Sequence, residues 1–183
     1  FEVVDELDSA PDYHFLPVGN AGNISAYWMG YVEYAKAGIT DTKPRMVGCQ
    51  AARAAPFLVG APIEEPETIA TAIRIGNPQS WDLANSAVSE SNGWFRESDD
   101  ENILSAQKML AHHCGIFCEP ASAVCLAGVR ESIDTGAIPD GSTIVCTLTG
   151  HGLKDPDTAI AQGPAPTRVR ADAAEVRAII LAD

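Results

Sequence analysis

Five residues, Gly19, Asn20, Ala21, Gly22 and Asn23, join an apolar run at 14–18 to an amphipathic stretch that starts near Ile24. Glycines let a backbone approach a ligand closely, and a loop that opens a helix gathers main-chain N–H groups at the helix's positive end. The pattern therefore suits an anion such as a phosphate. Nucleotide loops carry G-x-x-x-x-G-K-[ST] and dinucleotide folds G-x-G-x-x-G, whereas the spacing here is G-x-x-G, so neither ATP nor a dinucleotide is favoured. Taken alone, the five residues fit a structural turn equally well. Two other junctions add weight. "LTGHGLKDPD" sets Thr149, Gly150 and Gly152 directly after an apolar run, and "CEPASA" sets Ser122 near a helix start. A capping or packing role suits Ser122 better than catalysis. His151 reads as a group near a ligand or as a turn residue, and Lys154, beside Asp155, as a loop charge.

"HHCGIFC" gathers His112, His113, Cys114 and Cys118, but no second ligand pair is evident, and Ile116 and Phe117 look like strand or core filling. No metal is expected. The five cysteines are odd in number and unevenly spaced, and Cys125 and Cys146 sit in apolar surroundings, so reduced buried thiols are the simplest reading.

The elements that must position these residues follow from periodicity. Residues 1–8 read as helical, "HFLPVG" as a short buried strand, 24–37 as a helix with Tyr27, Tyr31 and Tyr34 at helical spacing, and "RMVGCQ" as a second strand. A strand, helix, strand unit implies a parallel pair with a right-handed crossover. "PETIATAIRIGNPQSW" predicts a short helix and a turn at Gly76, Asn77 and Pro78; "SWDLANSAVSES" predicts a helix. A further helix runs from the N-cap Ser98 to Gly115. "GIFCEP" reads as a brief strand, "EPASAVCLAGVRESIDTG" as a small-residue helix, "STIVCTLTG" as the final strand, "GPAPT" as a linker and "DAAEVRAIILAD" as a terminal helix. This alternation gives an α/β class with an open, mostly parallel sheet flanked by helices.

At 183 residues the chain is long enough for a real core, and its net charge of -13 repels nucleic acid. No run of about 18 apolar residues occurs and the start does not resemble a signal peptide, so a cytoplasmic protein without membrane contact is expected. The sequence opens on Phe1 with no initiating Met, which implies processing or a piece of a longer protein.

"PVGNAGNISAYWMGY", "ATAIRIGNPQSW", "FCEPASA" and "CTLTGHGLKDPDTA", in this order, resemble the carboxyl-terminal half of bacterial threonine synthase of actinobacterial type. That family belongs to the fold type II pyridoxal-phosphate enzymes, with tryptophan synthase β chains and serine/threonine dehydratases. The resemblance covers about residues 1–160, the cofactor-binding part of the catalytic domain, and leaves 161–183 as linker and terminal helix. It implies that Gly19, Asn20, Ala21, Gly22 and Asn23 cradle the phosphate of pyridoxal 5′-phosphate through main-chain amides and polar side chains. It also implies that Thr149 stands beside the pyridine nitrogen, where aminotransferases put an aspartate. A neutral hydroxyl does not hold that nitrogen protonated as an acid does, which suits elimination and replacement chemistry.

Arg74, in "TAIRIGNP", is equally compatible with shaping the cleft by ligand contact and with a structural ion pair. The implied reaction converts O-phospho-L-homoserine and water into L-threonine and phosphate. None of Lys36, Lys43, Lys108 and Lys154 stands in the setting of the family's Schiff-base lysine, so the chain supplies no catalytic residue of its own. It is expected to be inactive unless an amino-terminal half or a second chain completes it, and to work as a homodimer. A phosphate-binding module without turnover, a related threonine or serine dehydratase, and a scaffold that uses its glycines only as turns are the alternatives.

Overall fold

In the computed structural model, which describes residues 1–163 and 165–182, four short segments form one parallel sheet. They are β1 (Tyr13–Pro17), β2 (Arg45–Ala51), β3 (Trp94–Ser98) and β4 (Ile144–Cys146), in the order β3-β2-β1-β4. Tyr13 to Pro17 of β1 pair with Arg45 to Cys49 of β2, and Tyr13 to Phe15 pair on the other side with Ile144 to Cys146 of β4. Val47 to Ala51 pair with Trp94 to Ser98. Every residue of β1 is buried, as a parallel strand covered on both faces requires.

Alternation along the strands builds two cores. Tyr13 and Phe15 of β1, with Val47 and Cys49 of β2, pack on one face against α5 (Asp100–Cys114) and α6 (Pro120–Asp134), where Ile103, Ala106, Val124 and Ala127 are buried. Leu16 and Met46 point to the other face, toward α2 (Gly22–Lys36) and α4 (Trp81–Glu90), among Ile24, Trp28, Ala84 and Ala87. Burying a side chain the size of Phe15 or Leu16 contributes about 1.5–3 kcal/mol. The small residues of α6 let it lie close to the sheet: a Cβ on Gly128 would stand 2.8 Å from Cys49 Sγ. The remaining helices are α1 (Glu2–Leu7), α3 (Pro56–Val59), α7 (Pro156–Gln162) and α8 (Ala173–Ile180), with single 3-10 turns at Thr71–Ile73 and Gly152–Lys154.

This is the expected α/β class, with several local corrections. β3 was not foreseen: "WFRES" is short and polar in its second half, and its pairing partner, β2, is remote in sequence. "GIFCEP" is no strand; Ile116 and Phe117 are exposed, and only an isolated antiparallel bridge joins Cys118 to His151. The cap of α5 is Asp99, whose carboxylate accepts from Asn102 N–H at 2.7 Å, because Ser98 is the last residue of β3 and its hydroxyl donates to Glu131. α2 starts at Gly22, so its first turn includes two of the loop residues. The helix expected around 66–75 is a single 3-10 turn, and "STIVCTLTG" forms a strand over three residues only. Asp172 caps α8, while Pro164 of the linker and Asp183 lie outside the described residues. α7 crosses the expected division at 160. No helix among the described residues is long and apolar enough to cross a membrane.

Candidate cofactor site

The carboxyl ends of β1 and β4 open on one cleft, the position at which parallel α/β sheets hold ligands. Its volume is about 360 Å³, and Gly19, Asn20, Ala21, Gly22, Asn23 and Thr149 line it together with Pro17, Ala72, Ile73, Ile75 and Ala121. All six residues expected at a cofactor therefore stand around a single space. Thr149 arrives from a segment more than 120 residues away in sequence from the loop that faces it.

The shape of the loop follows from its residues. Val18 N–H still donates to Cys49 O at 2.8 Å, which ends the ladder. Beyond it, Ala21 turns the chain through the left-handed region at φ 64° and leads directly into α2. Among the described residues, none of the five main-chain N–H groups from Gly19 to Asn23 finds a protein acceptor. The N-cap residue of α2, Ala21, has no side chain that could cap it, although the helix runs for 15 residues. Consecutive free amides around a left-handed residue, backed by a helix's positive end, form a nest for an anion. Asn23 contributes through its side chain in a different way from that expected: its amide donates to Pro17 O at 2.7 Å and its carbonyl accepts Ile24 N–H at 2.8 Å, so it braces the loop. Asn20 O accepts Ser80 N–H at 3.1 Å, which ties the loop to the start of α4.

The "TAIRIGNP" segment forms the wall. A Cβ on Gly19 would lie 2.9 Å from Ile75 Cδ1 and 3.2 Å from Ala72 O, so a side chain there would push the Ile75 tip and the wall outward. Ile73 and Ile75 give the cleft an apolar side, and among the described residues no carboxylate lines it despite the acidic chain. Arg74 is exposed and makes no ion pair among the described residues. A dianionic phosphate fits the amides, an aromatic ring fits the isoleucines, and the Thr149 hydroxyl can face a heteroatom of that ring.

Behind Thr149, the bridge between Cys118 and His151 clamps the start of α6 to the loop after β4: Glu119 N–H donates to Gly150 O and Gly152 N–H to Phe117 O, both at 3.0 Å. Ser122, wholly buried, accepts Gly150 N–H at 2.7 Å and stands 3.1 Å from Thr149 Oγ1. The carboxylate of Glu119 fills the space where a side chain at Gly150 would go. His151 is exposed and accepts Leu153 N–H, as a turn residue does.

A second support was not legible in the sequence. His14, buried on β1, pairs with Tyr31 OH of α2 at 2.9 Å and with Thr147 Oγ1 at 2.7 Å, thereby joining the helix that opens at the amide nest to the segment after β4 that delivers Thr149. Burial pushes its pKa down to about 4, so the imidazole is neutral at pH 7.

None of the four lysines lines the cleft, and all four are exposed. Among the described residues, no group of three His, Cys, Asp or Glu side chains is placed to hold a metal ion.

The sequence matches the family model described as "Pyridoxal-phosphate dependent enzyme" over residues 1–150. It is 55% identical over 172 residues to the threonine synthase of Mycobacterium tuberculosis, an alignment covering 94% of this chain and 48% of that protein. To the threonine synthase of Synechocystis sp. it is 56% identical over 160 residues, 87% of this chain and 41% of that one. The chain thus spans about half the length of the relatives it matches. The fold is similar to that of maize serine racemase, with a TM-score of 0.68 at 20% identity over 87% of this chain and 50% of that one. With the amide nest, apolar wall and hydroxyl on one cleft, these matches show that the chain belongs to the pyridoxal-phosphate-dependent enzyme family.

Proposed function

We propose that this chain is the phosphate-gripping part of a cytoplasmic, homodimeric threonine synthase, which converts O-phospho-L-homoserine and water into L-threonine and phosphate. Residues 1–160 serve as its cofactor-binding part and 161–183 as linker and terminal helix. The observation that carries the reading is the convergence of five unpartnered amides, 19–23, and Thr149 on one cleft. When bound, pyridoxal phosphate supplies an electron sink for proton removal next to the substrate's amino group. The chain's own residues do the holding. The amides of 19–23 would take the phosphate, Ile73 and Ile75 would keep water from one side of the ring, and Thr149 would meet its nitrogen. Because no lysine lines the cleft, the covalent anchor and proton carrier come from a segment or second polypeptide outside this chain. The dehydratase alternative has the support of fold alone, through a likeness to a threonine deaminase at 20% identity and a TM-score of 0.63, whereas identity above one half favours threonine synthase.

Titration of this chain with pyridoxal phosphate, followed by borohydride reduction and peptide mapping, tests the reading. Reversible, phosphate-competed binding is expected, with only sub-stoichiometric reduced adducts scattered over the exposed lysines. Adding the lysine-bearing half of the Mycobacterium tuberculosis relative should restore phosphate release from O-phospho-L-homoserine. A stoichiometric reduced adduct at one of Lys36, Lys43, Lys108 and Lys154 that inorganic phosphate competes away, or tighter binding of ATP than of pyridoxal phosphate, would overturn it.

A further inference from the structure

Ser122 occupies the first turn of α6, where a serine hydroxyl commonly bonds its own helix. Here it turns outward to the loop after β4. Its oxygen accepts Gly150 N–H at 2.7 Å, which leaves one hydroxyl proton to place. Two acceptors are in range, Thr149 Oγ1 at 3.1 Å and Gly150 O at 3.3 Å. Gly150 O already accepts Glu119 N–H at 3.0 Å and is the more distant of the two. Thr149 Oγ1 is the nearer acceptor for that proton, and either hydroxyl can donate across this contact. Thr149 Oγ1, once it accepts from Ser122, keeps its own proton free, and its exposed side chain lines the cleft.

We propose that Ser122 is a positioning residue that fixes the polarity of the Thr149 hydroxyl, making it a donor to the ring nitrogen of the bound cofactor. The inference rests on the cofactor reading above. A donor at that point selects a nitrogen with a free lone pair and disfavours a protonated one, so Ser122 sets the protonation state of the ring from a site that touches no ligand.

The test compares binding of pyridoxal phosphate with its 1-deaza analogue, in which C–H replaces the ring nitrogen and the phosphate is unchanged. Wild-type chain should prefer pyridoxal phosphate by about tenfold. Ser122→Ala should bring the two within about twofold, as Thr149→Val does, while inorganic phosphate binds all three proteins alike. A preference kept in Ser122→Ala but lost in Thr149→Val overturns the role of Ser122 and leaves the site standing. Loss of phosphate affinity in step with the preference overturns it in favour of general support of the fold. Should the variant fail to fold, the 15N shift of labelled pyridoxal phosphate on wild-type chain decides: a neutral pyridine signal supports the proposal and a pyridinium signal overturns it. If neither ligand binds wild-type chain, the cofactor reading itself falls, and this inference with it.

Discussion

Substituting Gly19 by alanine tests whether the loop is held by packing or by backbone conformation. The φ of Gly19 lies outside the left-handed region, so alanine can adopt this backbone without strain. What it cannot do is fit. The new Cβ would lie 2.9 Å from Ile75 Cδ1, 3.2 Å from Ala72 O and 3.3 Å from Ile73 Cα. The isoleucine tip can swing aside, but two of the three atoms are backbone, fixed by Ile73 N–H to Ala70 O at 3.0 Å and Arg74 N–H to Thr71 O at 3.2 Å. Overpacking of this kind costs about 1–3 kcal/mol. For a chain of this length that corresponds to a fall in Tm of about 4–8 °C at the middle of the range. Moving the wall also misplaces the amides, and pyridoxal phosphate affinity should drop about tenfold or more. Gly22→Ala is the matched control, since its Cβ meets only Ser80 Oγ at 3.9 Å and alanine is the better helix former. Its Tm should stay within about 2 °C of wild type. Thermal unfolding followed by calorimetric titration reads both quantities, and a Gly19→Ala protein as stable as Gly22→Ala would refute the packing account of the loop.

The buried His14 predicts a specific acid sensitivity. Its pKa is about 4 in the fold against 6.5 in an open chain, so the unfolded state takes up a proton that the folded state refuses. Stability is unaffected above about pH 6.5 and falls as pH drops toward 4, by about 3 kcal/mol in total. Urea midpoints at pH 7, 5.5 and 4.5 should fall more steeply for wild type than for His14→Gln; equal slopes would contradict the assignment. The cysteines predict a thiol count. Cys114 is exposed, whereas Cys49, Cys118 and Cys125 are buried and Cys146 half-buried. Burial pushes Cys146 up to about 12 and raises Cys118 and Cys125 as well. Ellman's reagent should modify one thiol rapidly in the native chain and the other four only on unfolding. Two or more fast thiols would count against the described core.

What the sequence made legible was local. The G-x-x-G loop lies within five consecutive residues, and the strand before it and the helix after it announce themselves by apolar periodicity, so the nest at 19–23 could be placed before any coordinates. The wall at 71–75 was legible through its resemblance to a family segment. What stayed hidden depends on contacts between distant residues. Ser122 and Thr149 are 27 residues apart, and nothing in "EPASA" says that its hydroxyl leaves its own helix. His14 meets partners 17 and 133 residues away, and in sequence it is only one polar residue at the start of a strand. β3 escaped because Arg96 and Glu97 interrupt its pattern; it exists through pairing with β2. Ser98 was misplaced for the same reason, since an N-cap signal cannot be told from a strand end when the strand itself is unseen.

The same distribution of contacts bears on how the site is assembled. Among the described residues, the nest is shaped by Asn23 bonded to Pro17, Ser80 bonded to Asn20, and Gly19 packed on the 71–75 wall. Thr149 is likewise set by Ser122 and by the bridge at Cys118 and His151. On the proposed reading, the two ends of the cofactor would be gripped by geometry that folding of β1, β4, α2 and α6 already supplies, and the ordering cost of that grip would be met before any lysine approaches. On the proposed reading, a lysine-bearing segment meets a cofactor that is already oriented, so its attachment is a matter of reach. This chain should accordingly retain most of the phosphate-dependent binding energy and none of the covalent step. Affinity and turnover would then separate cleanly between the two parts of the enzyme.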